Sequence, residues 1–129
     1  MASILVIDDE TELQSLVAYT LGQAGHTVSA ASSGGAALAQ LGVEPHDASK
    51  PLPDLIILDI MMPGMDGYTL STRLLADDRT RNIPIIILTA KARMKELFAA
   101  APHVAGHMEK PFDPKVLRET VASALKRRR

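Results

Sequence analysis

Three apolar runs, Ile4-Leu5-Val6-Ile7, Leu55-Ile56-Ile57-Leu58 and Ile85-Ile86-Ile87-Leu88, each end on a residue able to do chemistry. Asp8 and Asp9 follow the first, Asp59 the second and Thr89 the third, while Lys110 comes just beyond a weaker stretch, Ala105 to Met108. If the runs are neighbouring strands, three carboxylates, one hydroxyl and one ammonium meet at one edge. Two like charges about 4 Å apart repel by roughly 4 kcal/mol at an effective dielectric near 20, so the group needs a cation or a proton to persist. Oxygen donors without cysteine or a nearby histidine favour Mg²⁺ over zinc or copper, and carboxylates plus waters hold Mg²⁺ where it must also receive a phosphoryl oxygen. The chemistry indicated is phosphoryl transfer. Asp59, on stiff backbone at a strand end, can attack phosphorus in line and form an aspartyl phosphate, with Lys110 neutralising one phosphoryl oxygen and Thr89 donating to another.

The elements that must position these groups are legible in the periodicity. Uninterrupted β-branched runs are what strands covered on both faces look like in a parallel sheet, and Thr27 to Ala31 and Ala105 to Met108 supply two further candidates. Leu13, Leu16, Val17, Leu21 and Ala24 repeat at helical spacing between the cap-like Asp8-Asp9-Glu10-Thr11 and the terminating Gly25. Gly34 to Leu41 reads as a second helix, Asp66 caps a third running to about Ala76, and Lys91 to Ala100 reads as a fourth. The last begins at Pro114, with Val116, Leu117, Thr120, Val121, Ala124 and Leu125 as its apolar stripe. Such alternation predicts an α/β fold, a parallel sheet with helices on both faces, whose functional groups collect at the carboxyl ends of the strands. Gly42 to Pro53, with three prolines, reads as an exposed loop. Met61, Met62 and Met65 read as core and loop packing, and Glu10 and Glu12 as partners of a helix dipole.

Composition narrows the function. The 129 residues suit one domain, 1–129, with apolar types at 47% and charged types at 22%. A formal charge of −1 provides no field for phosphate backbones, so nucleic acid is not an expected direct partner, and the basic tail 126–129 reads as a solvated helix end. With no cysteine, disulfides, thiolate metal sites and cysteine nucleophiles are excluded. The apolar runs are too short for a secretory segment or a membrane span, so the chain is expected in the cytoplasm without a membrane partner.

At Leu5-Val6-Ile7-Asp8-Asp9-Glu10, Asp59-Ile60-Met61-Met62-Pro63-Gly64-Met65-Asp66-Gly67, Ile87-Leu88-Thr89-Ala90 and Lys110-Pro111-Phe112 the sequence resembles the receiver domain of bacterial two-component response regulators. Four pieces in that order on the expected strand ends form a specific signal. The resemblance implies a doubly wound, flavodoxin-like sheet of five parallel strands in the order 2-1-3-4-5, the order that general descriptions of this fold give for a chemotaxis receiver. It implies Asp59 as phosphoacceptor, Mg²⁺ held by Asp9, Asp59 and the Met61 carbonyl with Asp8 acting mainly through a bound water, Lys110 paired with the phosphoryl group, and a cis Lys110-Pro111 bond. The Asp9 to Asp59 interval is long for the family, which the proline-bearing loop explains.

The resemblance further implies a phosphorylation-dependent switch rather than an enzyme, catalysing at most its own phosphorylation and dephosphorylation. A sensor histidine kinase or histidine phosphotransfer protein supplies the phosphoryl group, and a downstream target protein reads the altered surface, with a homodimer through the fourth helix, fifth strand and last helix as a further possibility. Thr89 is the expected switch residue, and His107 stands where receivers carry Tyr or Phe. Two readings of His107 stay open: its ring fills the aromatic slot and makes activation pH-sensitive, or it stays outside as a polar residue. Two rival functions are a small haloacid-dehalogenase-like Mg²⁺ phosphatase and a receiver-like interaction module that is never phosphorylated. The phosphatase pattern needs a second aspartate where Met61 stands and its nucleophile on the first strand.

Overall fold

The computed structural model describes residues 2–89, 106–110 and 112–127. Five strands, β1 (Ser3–Ile7), β2 (Thr27–Ala31), β3 (Leu55–Asp59), β4 (Ile85–Thr89) and β5 (Gly106–Glu109), form one parallel sheet in the order β2-β1-β3-β4-β5. This is the order expected from the resemblance. Helices α1 (Thr11–Gln23), α2 (Gly34–Leu41), α3 (Gly67–Ala76) and a C-terminal helix (Pro114–Arg127) complete the described elements. The expected helix Lys91 to Ala100, the Lys110-Pro111 bond, through Pro111, and the final residues of the basic tail lie outside the described residues.

The unbroken apolar runs arise because both sheet faces are covered. Leu5, Ile7, Ile56, Leu58 and Ile87 point into a core shared with Leu38, Leu41, Leu70 and Leu74 of α2 and α3. The alternate residues Ile4, Val6, Leu55, Ile57, Ile86 and Leu88 pack with Val17 and Leu21 of α1 and Leu117, Val121 and Ala124 of the C-terminal helix. Period-two alternation therefore divides one apolar string between two cores. The periodic stripes run wider than the buried ones: Leu16 is 42% exposed and Val116 45%, because each helix meets the sheet along a narrower line than its apolar residues cover.

Local signals set the ends of the elements. The Asp66 carboxylate accepts the Thr69 N–H at 2.7 Å and starts α3, as predicted, and the Ser33 hydroxyl does the same for α2 through Ala36 at 3.1 Å. Glu10 stands at the N-cap of α1 with no side-chain cap bond. The Gly42 to Pro53 loop follows α2 and is tied down by Arg79, whose guanidinium donates to the carbonyls of Leu41 at 2.7 Å and Lys50 at 2.6 Å. Arg73 and Glu44 form an ion pair across the same loop.

Gly67 opens α3 so close to the end of β3 that an added Cβ would lie 2.4 Å from the Asp59 carbonyl oxygen and 2.7 Å from the Ile60 Cα. Both obstacles are backbone, which cannot step aside as a side-chain tip can. Gly67→Ala is expected to cost about 1–3 kcal/mol in urea unfolding. Gly35→Ala, in α2 with nothing within 4 Å of the new Cβ, should instead gain roughly 0.5–1 kcal/mol.

Candidate functional site

The sheet register brings the acidic residues together. Ile7 lies opposite Leu58 across the β1–β3 pair, so Asp8 and Asp59, each one position further, stand level on adjacent central strands. Carboxylate oxygens of Asp8, Asp9 and Asp59 all lie within 4.8 Å of one another. Asp8 is fully buried and Asp59 only 2% exposed, whereas Asp9 faces outward. Lys110, arriving from just beyond β5, places its Nζ 3.1 Å from Asp8 Oδ2 and 3.1 Å from Asp59 Oδ1. The same ammonium reaches Glu10 Oε1 at 3.4 Å.

Backbone amides complete the arrangement. Asp8 Oδ1 accepts the Glu10 N–H at 2.8 Å, and Asp59 Oδ1 accepts the Met61 N–H at 3.2 Å. These bonds orient each carboxylate against its own following loop. Met61 is 54% exposed beside the pocket while Met62 is buried, so the packing role expected of the methionines falls to Met62 and, partly buried against the core, Met65. Of the other predicted residues, Thr89 ends β4 opposite Glu109, and His107 lies opposite Ile87 in the β4–β5 pair. Their side chains lie outside what the structure describes. Glu10, expected only to complement the helix dipole, also joins the Lys110 cluster. Its signal in the sequence was the run of three acids after a buried strand.

Burial sets the electrostatics of the pocket. Desolvation pushes the Asp8 carboxyl above its usual range, repulsion from Asp59 adds to this, and the Glu10 amide and Lys110 oppose it. Asp59 is likewise raised, first by burial and also by Asp9, against the pull of Lys110 and the Met61 amide. For Lys110 burial works downward, but its bonds to Asp59 and Asp8 outweigh it and the ammonium is held above its usual range. The charges therefore do not balance, since one cation serves two buried carboxylates with Asp9 and Glu10 nearby. This oxygen-only, acid-rich donor set fits a hard divalent cation such as Mg²⁺.

The folded state binds protons on Asp8 and Asp59 more readily than the unfolded chain, so these groups lower metal-free stability as pH rises above about 4 through their raised values. Lys110 acts oppositely. Its contribution is complete below its ordinary pKa near 10.4 and is lost only as pH climbs through the higher folded value. Asp59→Asn should therefore raise the melting temperature of the metal-free protein at pH 7 by about 3–6 °C. Lys110→Met should lower metal-free stability by roughly 3 kcal/mol, because it strands both carboxylates, and added Mg²⁺ should recover part of that loss. Thermal and urea melts with and without Mg²⁺ check both signs.

Residues 4–122 match the family described as response regulator receiver domain. The chain is 37% identical over 130 residues to the DNA-binding dual master transcriptional regulator RpaA of Synechocystis sp., covering 98% of this chain and 50% of that protein. It is 33% identical over 127 residues to protein PilH of Pseudomonas aeruginosa, covering 97% of this chain and 98% of PilH. The chain thus spans half or less of some curated relatives, as with response regulator PleD of Caulobacter vibrioides at 26%, and nearly all of PilH. In three dimensions it is similar to chemotaxis response regulator CheY4 of Vibrio cholerae, with TM-score 0.81, 31% identity and coverage of 96% of this chain and 98% of that one. Among the described residues no helix is long and apolar enough to cross a membrane. Sheet order, acidic pocket and sequence agree, against the phosphatase alternative, that this chain belongs to the response regulator receiver domains of two-component systems, whose standard function is a phosphorylation switch.

Proposed function

We propose that Asp59 is the phosphoacceptor. The observation that carries this reading is the Lys110 ammonium 3.1 Å from Asp59 Oδ1, beside two further carboxylates within 4.8 Å. A carboxylate oxygen of Asp59 attacks phosphorus of a phosphohistidine on a sensor kinase or phosphotransfer protein. The phosphorus–nitrogen bond breaks, the imidazole leaves with its electron pair, and an acyl phosphate remains on Asp59. Placement at the end of the buried strand β3, with Oδ1 tethered by the Met61 amide, holds the attacking group in a narrow range of directions.

Asp8, Asp9, Asp59 and the Met61 carbonyl are the groups that would hold Mg²⁺, which when bound supplies charge neutralisation for the phosphoryl oxygens. Lys110 turns from Asp59 to a phosphoryl oxygen, exchanging one ion pair for a stronger one. Thr89, at the end of β4, and His107, on β5, are the switch positions that respond on the side of the sheet from which Lys110 arrives. Phosphorylation adds nearly two negative charges, and moving a two-state population from 1:99 to 99:1 takes about 5.5 kcal/mol of differential stabilisation. Output is protein binding by a downstream target, and a homodimer is one form that output can take. The reading places the chain in the cytoplasm as a regulator whose only chemistry is on itself.

Incubation with acetyl phosphate and Mg²⁺ should add one phosphoryl group to the wild type, seen by intact-mass analysis, and none to Asp59→Asn. Chelation of the metal should abolish labelling of the wild type. Labelling of Asp59→Asn to the wild-type level would transfer the acceptor role elsewhere, and sustained turnover of a generic phosphomonoester would restore the phosphatase alternative.

A further inference from the structure

The turn that carries Asp8 and Asp9 is held from behind by a residue outside the acidic cluster. Gln14, in the first turns of α1, directs its side-chain amide back toward the sheet, where Nε2 donates to the Asp8 carbonyl oxygen at 2.6 Å. The same nitrogen lies 3.1 Å from Ser32 Oγ and 3.3 Å from the Ala31 carbonyl oxygen at the end of β2. Ala31 O also accepts the Asp8 N–H at 3.1 Å, and the Gln14 N–H donates to Glu10 O at 3.1 Å. One amide thus ties the exit of β1, the exit of β2 and the start of α1 into a single unit.

The tie bears directly on the pocket. Asp8 is fixed on its side chain by the Glu10 N–H and Lys110 and on its main chain by Gln14 and Ala31, so the backbone leading into Asp9 is held in place. Asp9 is the exposed member of the trio, so its approach to Asp8 and Asp59 depends on the posture of the backbone beneath it. Lys110 reaches Asp8, Asp59 and Glu10 through their side chains, and not Asp9 among the described residues, whereas Gln14 and Ala31 hold the main chain of Asp8 itself. A side chain that fixes the donor set without entering it acts as the outer hydrogen-bond partners of metal ligands do, and losing such partners typically weakens affinity about 10–100-fold.

We propose that Gln14 is a positioning residue for the acidic pocket, holding the Asp8–Glu10 turn so that Asp9 can join Asp8 and Asp59 around a divalent cation. The proposal rests on the reading of that pocket as a cation site. Its variant is Gln14→Met, similar in length and helix propensity but without a donor. Calorimetric Mg²⁺ titration should show affinity weakened about tenfold. Labelling by acetyl phosphate at saturating Mg²⁺ should stay within about twofold of wild type, since the ligands, once gathered, are unchanged.

Mg²⁺ affinity within about twofold of wild type overturns the proposal, as does a labelling rate at saturating Mg²⁺ that falls as far as the affinity. A purely structural role would lower the metal-free melting temperature and leave Mg²⁺ affinity alone, and that result also overturns it. A measurement on the wild type covers the case in which the variant does not fold. By NMR the Gln14 side-chain amide protons should exchange more slowly than those of exposed glutamines and shift on Mg²⁺ addition, and unprotected, unresponsive protons overturn the proposal. Wild-type signals of Asp8, Asp9 and Asp59 that ignore Mg²⁺ defeat both the cation site and this inference, whereas normal wild-type binding with an unaltered Gln14→Met titration defeats the inference alone.

Discussion

Two carboxylates are buried side by side on adjacent strands, and one ammonium, 102 residues along the chain from Asp8, serves both. Burial penalises each charged oxygen by removing water, and repulsion adds to that penalty, from Asp59 on Asp8 and from Asp9 on Asp59. Lys110 reduces the strain without cancelling it, because a single positive charge cannot neutralise two negative ones at equal distance. The pocket is consequently a stored electrostatic imbalance that any additional positive charge relieves. A divalent cation held by the gathered oxygens of Asp8, Asp9 and Asp59 would relieve this imbalance.

The imbalance persists because the rest of the sheet pins it in place. In the order β2-β1-β3-β4-β5, the chain leaving β1 enters α1 on one face, while the chain leaving β3 enters α3 on the other. The two exits diverge, and a crevice opens between them at the carboxyl ends of the strands. Asp8 and Asp59 line the floor of that crevice because the Ile7–Leu58 register sets them level, and a slip of one residue would turn one of them into a core face. Gly67 brings α3 against the Asp59 carbonyl, and Gln14 ties α1 to the Asp8 carbonyl, so the main chain beneath each carboxylate meets its own following helix.

Much of this was legible in the residues themselves. The three apolar runs named the central strands within a residue of their ends, and the residues that stop them are those that line the pocket, because a buried strand can tolerate charge only where it emerges. The Asp66 cap and the Pro114 helix start follow from local hydrogen bonding and backbone restriction, which short sequence windows encode. The strand order came from the resemblance and not from periodicity, which cannot tell which strands are neighbours. Contacts that depend on tertiary approach left no local trace: Arg79 reaching across to the Leu41 and Lys50 carbonyls, the Gln14 amide behind Asp8, and the second role of Glu10 on Lys110. The apolar period also overstates the width of the buried helix faces. Leu16 and Val116 satisfy the apolar period, yet a helix resting on a flat sheet buries only its line of contact.

The three partners of Lys110 differ in what it costs to leave them. Glu10 is well exposed and 3.4 Å away, so solvent screening makes that pair worth little and its loss changes little. Asp8 and Asp59 are buried, and an ammonium that abandoned either without replacement would leave an uncompensated charge at several kcal/mol. In the proposed reaction the carboxylate of Asp59 becomes part of an acyl phosphate, which moves its negative charge outward onto the phosphoryl oxygens. Lys110 can then follow that charge from the Asp59 oxygen to the phosphoryl group while keeping Asp8, and the exposed contact with Glu10 is released at little cost. A lysine anchored in this way does not have to be recruited from solvent, and its small displacement is coupled through the strand end that carries it to Glu109 and β4. In that proposed reaction the charge imbalance of the resting pocket leaves a counter-charge already in place for the phosphoryl group.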